Sequence, residues 1–123
     1  MSVLLNTIQI FETGQEREYK AGDIIFRNGD VEVGMYGIVS GEVEVQVGGK
    51  TLETLNVGDV FGVGAIVHEN HQRSSTTLAK TDCKLALMDR EHFMFAVQQA
   101  PMFALEVMRH YSDRLRAVRE HCH

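Results

Sequence analysis

The sequence predicts a mainly β domain with C-terminal helices: a β-roll or jelly roll (a double-stranded β-helix) over about residues 16–89, followed by helices over about 90–119. Three observations predict it. All 11 glycines fall between Gly14 and Gly64, so the two parts of the chain must use different structure. In the first part, dipeptides suited to turns punctuate short β-like runs, at Gly22-Asp23, Asn28-Gly29, Ser40-Gly41, Gly48-Gly49 and Gly58-Asp59. Near residue 90 the apolar period lengthens from that of a strand to that of a helix.

Between the turns, Glu42 to Val47 alternates strictly, with Val43, Val45 and Val47 on one sheet face and Glu42, Glu44 and Gln46 on the other. Thr76 to Lys80 and Cys83 to Met88 read as two further strands joined through Thr81-Asp82, with Thr76 and Thr77 as strand-compatible polar surface. Asp89 is the expected N-cap of a helix over Arg90 to Gln99. Pro101, the only proline, interrupts that helix and opens a second. There Ala104, Met108, Tyr111, Leu115 and Val118 form an apolar stripe that runs past the point where the roll can cover it. A parallel helix-to-helix homodimer follows as an expectation. The apolar start MSVLLNTIQIF has no basic n-region and no cleavage site, so it is not read as a signal peptide, and no element is assigned to it.

A length of 123 residues is that of one ordinary domain, without room for a second, and 44% apolar with 24% charged residues is globular composition. The net charge of −5 argues against a broad nucleic-acid surface. No stretch reaches membrane-spanning length. Cys83 and Cys122 stand far apart and offer neither a disulfide framework nor a zinc spacing, which fits a reducing cytoplasm. His68-Glu69-Asn70-His71 lies in a loop, the tail His121-Cys122-His123 is a chain end, and no strand carries paired histidines, so no metal is expected. No serine or cysteine has a recognisable base partner and no carboxylate pair is placed by motif, so neither an enzyme nor a cofactor is expected.

The most informative segment is Phe61 to Ala79, FGVGAIVHENHQRSSTTLA: a glycine-lined turn, a short apolar stretch and Arg73-Ser74 opening a strand. That is the layout of a pocket for one small anion. Backbone N–H groups around Gly62, Gly64 and Ala65 would open a short helical turn, Arg73 would supply a planar two-pronged donor, and Ser74 and Ser75 would add hydroxyls.

The segment resembles the phosphate-binding cassette of the cyclic-nucleotide-binding domain family. Tyr19 to Asp30 looks like the family's opening hairpin, Met35 to Val45 like its central strand pair, and Leu55 to Gly62 like the approach to the cassette, all in the right order. The resemblance implies a cyclic phosphate held by the backbone at Gly62, Gly64 and Ala65, by Arg73 and by Ser74. The base would lie between the roll and the last helix, with Val45 and Leu52 as its wall in catabolite-activator-like members. Two positions depart from the family. Val63 stands where a glutamate usually holds the ribose 2′-hydroxyl, and Val118 about where a threonine contacts adenine. No helix-turn-helix, channel or kinase segment is present, so the signal of a stand-alone sensor would pass by contact to a downstream protein. The resemblance thus implies a sensor for cAMP or cGMP. The alternatives are a protein-interaction module of the same fold and a pocket retuned to another small anion.

Overall fold

The computed structural model describes residues 3–32 and 34–121. Cys122 and His123, the tail residues weighed above as metal ligands, lie outside the described residues. The chain runs α1 (Val3–Ile10), β1 (Arg17–Tyr19), β2 (Ile24–Phe26), β3 (Gly34–Ser40), β4 (Val43–Val47), β5 (Lys50–Leu55), β6 (Val60–Phe61), α2 (Gly64–Val67), β7 (Thr76–Ala79), β8 (Cys83–Asp89), α3 (Arg90–Gln99) and α4 (Met102–His121). Two four-stranded antiparallel sheets, in the orders β1-β8-β3-β6 and β2-β7-β4-β5, face each other as a β-roll. Mainly β structure with C-terminal helices is what the glycine distribution and period change predict.

Three of the turns share one device. In Lys20 to Asp23, Arg27 to Asp30 and Asn56 to Asp59, the aspartate carboxylate accepts a hydrogen bond from the first residue's backbone N–H, at 2.8, 2.9 and 2.8 Å. In each, the aspartate N–H donates back to the first residue's carbonyl. The side chain thus doubles the turn's own hydrogen bond, and the sequence signal is a glycine followed by aspartate.

The strands separate two cores. Between the sheets lie Phe26, Tyr36, Ile38, Val43, Val45, Leu55, Phe61, Ala79, Leu85 and Leu87. On the outer face of the β3-β8 sheet, Met35, Val60, Ala86 and Met88 meet Leu4 and Ile8 of α1, Ile66 of α2, Phe93 and Ala96 of α3, and Phe103 and Val107 of α4. The unbroken run Leu85 to Met88 therefore reads as continuous rather than alternating, because β8 is covered on both faces. Asp89 caps α3 as expected, its carboxylate accepting from the His92 N–H at 2.8 Å.

One element is added to the expected set and two expectations are corrected. The apolar N-terminus forms α1 and fills the outer core, and Gly37 of β3 leaves room for its Leu5 and Ile8 side chains. A short, weakly patterned segment without a capping residue gives no sequence signal for a helix that tertiary packing creates. The predicted stripe on the last helix is split: Phe103, Val107, Tyr111 and Arg114 face the domain, while Met108 and Leu115 are exposed. Burial of Phe103 and Val107 in the outer core sets this rotation, a register that apolar spacing alone does not define. Thr77 is not surface but fully buried.

Because Ile8 is completely buried between α1 and the sheet, Ile8→Ala should destabilise the fold by about 2–5 kcal/mol, read as a lower urea midpoint. An unchanged midpoint would mean that α1 is not docked.

Candidate ligand-binding site

The backbone places Arg73 before its side chain does any work. Its N–H donates to the Asp30 carbonyl at 2.7 Å, and its own carbonyl accepts from the Gly29 N–H at 2.8 Å, so the 27–30 turn holds the residue from both sides. The side chain then turns inward and is only 3% exposed. Nη1 donates to the Gly62 carbonyl at 2.7 Å and Nη2 to Oε1 of Glu32 at 2.9 Å. The guanidinium lies 4.2 Å from the centroid of the Phe26 ring and 5.7 Å from that of Tyr36. Nε has no partner among the described residues. At Gly62, with φ of 87°, a Cβ would sit 2.5 Å from Nη1, so the arginine requires glycine there.

Glu32 is the counter-charge. It also accepts from the Tyr36 hydroxyl at 2.6 Å and lies 3.6 Å from Nη1 of Arg17. Burial pushes its carboxyl up, but the hydrogen bonds from Tyr36 and Arg73 and the charges of Arg73 and Arg17 outweigh this and hold it below the ordinary carboxylate value. Burial, and then the hydrogen bond to Glu32, drive the Tyr36 phenol far above its usual range.

Around this arginine opens a cavity of about 470 Å³, within the roughly 300–1,000 Å³ typical of small-molecule sites. The structure brings nine of the ten sequence-predicted site residues to it. Gly62, Val63, Gly64 and Ala65 form the cassette side, Arg73, Ser74 and Ser75 the strand side, and Val45 and Leu52 the opposite wall. Val118 is not among them. It borders a neighbouring cavity of about 510 Å³, which shares Leu52, Glu53 and Arg114 with the first. The expected helical turn is α2, with Val63 as its N-cap, offering no side-chain cap of its own. His71, the non-glycine residue with a positive φ (53°), places Nδ1 2.7 Å from the Ala65 carbonyl and ties the following loop to α2.

Sequence reasoning brought the last helix to the base pocket through Val118 but missed the polar residues by which α4 holds the site. Tyr111 Oη accepts from the Val63 N–H at 3.1 Å, and His110 Nε2 from the Val60 N–H at 3.2 Å. Arg114 pairs bidentately with Glu53, both bonds at 2.9 Å, and donates to the Val60 carbonyl. Its guanidinium stacks 4.6 Å from the Tyr111 ring centroid. Burial lowers the Arg114 pKa, but the Glu53 pairing prevails and holds it above its ordinary value. No local signal marks these residues, because each partner lies at least 48 positions away in the chain. Glu32 was invisible for the same reason, 41 positions from Arg73.

Among the described residues no group of three or more His, Cys, Asp or Glu side chains could hold a metal ion, and no helix is long and apolar enough to cross a membrane. The architecture is that of a β-roll carrying a buried arginine against a glycine-lined turn. A family model, "Cyclic nucleotide-binding domain", matches residues 16–100. The chain belongs to the cyclic nucleotide-binding domain family. It is 45% identical over 76 residues to the cAMP-dependent protein kinase regulatory subunit of Schizosaccharomyces pombe, covering 61% of this chain and 18% of that protein. To a cGMP-dependent protein kinase of Drosophila melanogaster it is 35% identical over 101 residues, covering 82% of this chain and 9% of that protein. The crystal structure of Thermus thermophilus Catabolite Activator Protein matches with a TM-score of 0.77 at 26% identity, over 97% of this chain and 57% of that one. The chain thus spans less than a fifth of the length of either kinase relative.

Burial first, and then the charge of Arg114, lower the His110 pKa from its usual 6.5, against the opposing pull of Asp59 and Asp113. Neutral His110 accepts from Val60, and protonation removes that acceptor. A histidine with a lowered folded pKa stabilises fully above 6.5, and this stability is lost as pH falls from there toward the folded value. Between about pH 7.5 and 5.5 the melting temperature should therefore fall further for the native chain than for His110→Gln, whose amide oxygen remains an acceptor at both ends of that range. Parallel pH profiles would contradict this.

Proposed function

We propose that the chain is a sensor domain that takes one cyclic nucleotide, cAMP or cGMP, with the phosphate at Arg73 and the cassette and the base between the β4-β5 wall and α4. The observation that carries this reading is the buried Arg73, held at the cavity with its Nε unpartnered among the described residues. An arginine without a ligand there would be a standing cost to the fold, since burying a guanidinium demands compensation. Gly62, Gly64 and Ala65 supply the backbone side, and Ser74 and Ser75 stand next to the arginine. The relatives named for cAMP- and cGMP-dependent kinases support cyclic nucleotides as the ligand class. The domain is a single unit that binds rather than catalyses and works in the cytoplasm.

Signalling passes through α4. The Tyr111 hydroxyl is bonded to the Val63 amide within the cassette, so a ligand that reorganises the cassette acts on this helix directly. Only differential affinity for two positions of α4 can shift it. The exposed Met102, Leu105, Met108 and Leu115 form the face through which two copies dimerise or a downstream protein is engaged. A second reading, a protein-interaction module or a site for another small anion, is favoured by Val63 and by the Glu53–Arg114 pair bordering the base end of the cavity.

Isothermal titration with cAMP and with cGMP tests the reading. Binding should be lost in Arg73→Ala and weakened in Arg73→Lys, which keeps the charge but not the fork. Val63→Glu should strengthen binding about ten- to a hundredfold, the worth of one hydrogen bond to a charged acceptor. Silence of the native chain with both nucleotides would transfer the assignment to the second reading. Sedimentation equilibrium should show a dimer that Leu105→Asp and Met108→Asp weaken, whereas a monomer at every concentration would remove the helix-to-helix contact.

A further inference from the structure

Strand β7 brings a second unpaired group to the same cavity. Thr77 is 0% exposed and borders the cavity, and its Oγ1 has no hydrogen-bond partner among the described residues. The buried side-chain atoms in that condition are Glu12 Oε2, Arg73 Nε and Thr77 Oγ1, and the latter two belong to this cavity. The neighbouring Thr76 behaves differently, since its hydroxyl accepts from the Asn28 N–H at 3.1 Å. A valine would fill the place of Thr77 with nearly the same shape and without the cost of an unsatisfied hydroxyl. A threonine kept under these conditions needs a partner that enters the cavity.

Its position defines that partner. Thr77 is the cross-strand neighbour of Phe26 on one side and of Val45 on the other. Phe26 carries the Arg73 guanidinium on its ring face, and Val45 belongs to the wall assigned to the base. The hydroxyl therefore lies between the phosphate end and the base end, where a cyclic nucleotide has its sugar. Val63, on the cassette side, has no polar side-chain atom for that sugar.

We propose that Thr77 is a specificity-determining ligand contact whose hydroxyl hydrogen-bonds the 2′-hydroxyl of the sugar from the floor of the cavity. The proposal rests on the cyclic-nucleotide reading above. A hydroxyl can both donate and accept, so it can serve this role without a charge.

Titration calorimetry with cAMP, cGMP and their 2′-deoxy forms, on the native chain and on Thr77→Val and Thr77→Ser, tests it together with thermal unfolding in the absence of nucleotide. Thr77→Val should melt no lower than the native chain, because an unpartnered buried hydroxyl is removed, yet bind the ribonucleotide about three- to tenfold more weakly. Thr77→Ser should bind within about threefold of the native chain. The native preference for the 2′-hydroxyl should disappear in Thr77→Val. Equal affinity of Thr77→Val and the native chain, or a native chain indifferent to the 2′-hydroxyl, would overturn the proposal while leaving the sensor reading intact. A native chain that binds none of the nucleotides would overturn both.

Discussion

The rest of the structure is arranged around one buried guanidinium. Arg73 sits in an interior where an uncompensated charge would cost several kcal/mol, and each neighbour can be understood as part of the compensation. Glu32 supplies opposite charge, the Gly62 carbonyl a dipole, and Phe26 and Tyr36 the negative faces of their rings. Tyr36 in turn holds the carboxylate and stacks on Phe61, with centroids 5.2 Å apart. The compensation leaves Nε without a partner among the described residues, and Arg73 borders the cavity.

This arrangement needs the two sheets to be rigid relative to each other, and the covering of the β3-β8 sheet on both faces provides that. One side chain in two along β3 and β8 points into the roll and the others into the helical layer, so neither strand can slide by a residue without exchanging its two cores. α1, α3 and the root of α4 are thus part of the scaffold for the site, although among these helices only α4 touches the cavity, through Tyr111 and Arg114.

Much of this was legible in the residues themselves. The glycine-aspartate turns, the alternation of Val43 and Val45, the Asp89 cap and the break at Pro101 are local chemistry, and local chemistry is what a sequence displays. The cassette could be read for the same reason, since Gly62 to Ser75 is one continuous segment. What could not be read depends on partners distant in sequence: Glu32 opposite Arg73, Glu53 opposite Arg114, and Tyr111 on Val63. Thr77 illustrates the limit. As a polar β-branched residue it suits an exposed strand face, and only the pairing of β7 between β2 and β4 turns it inward.

The helix α4 is attached in two different ways along its length. Its first turns are anchored by Phe103 and Val107 in the outer core, while further along His110, Tyr111 and Arg114 hold on through directional polar bonds. Lifting the far part while the root stays seated would exchange hydrogen bonds for hydration and uncover little apolar surface. The heat capacity change of such a movement would be small, because that quantity follows the apolar area exposed. The enthalpy separating a seated from a lifted helix would then be nearly the same at every temperature, so the balance between them would follow a straight van't Hoff line, without the curvature that unfolding of the whole domain shows.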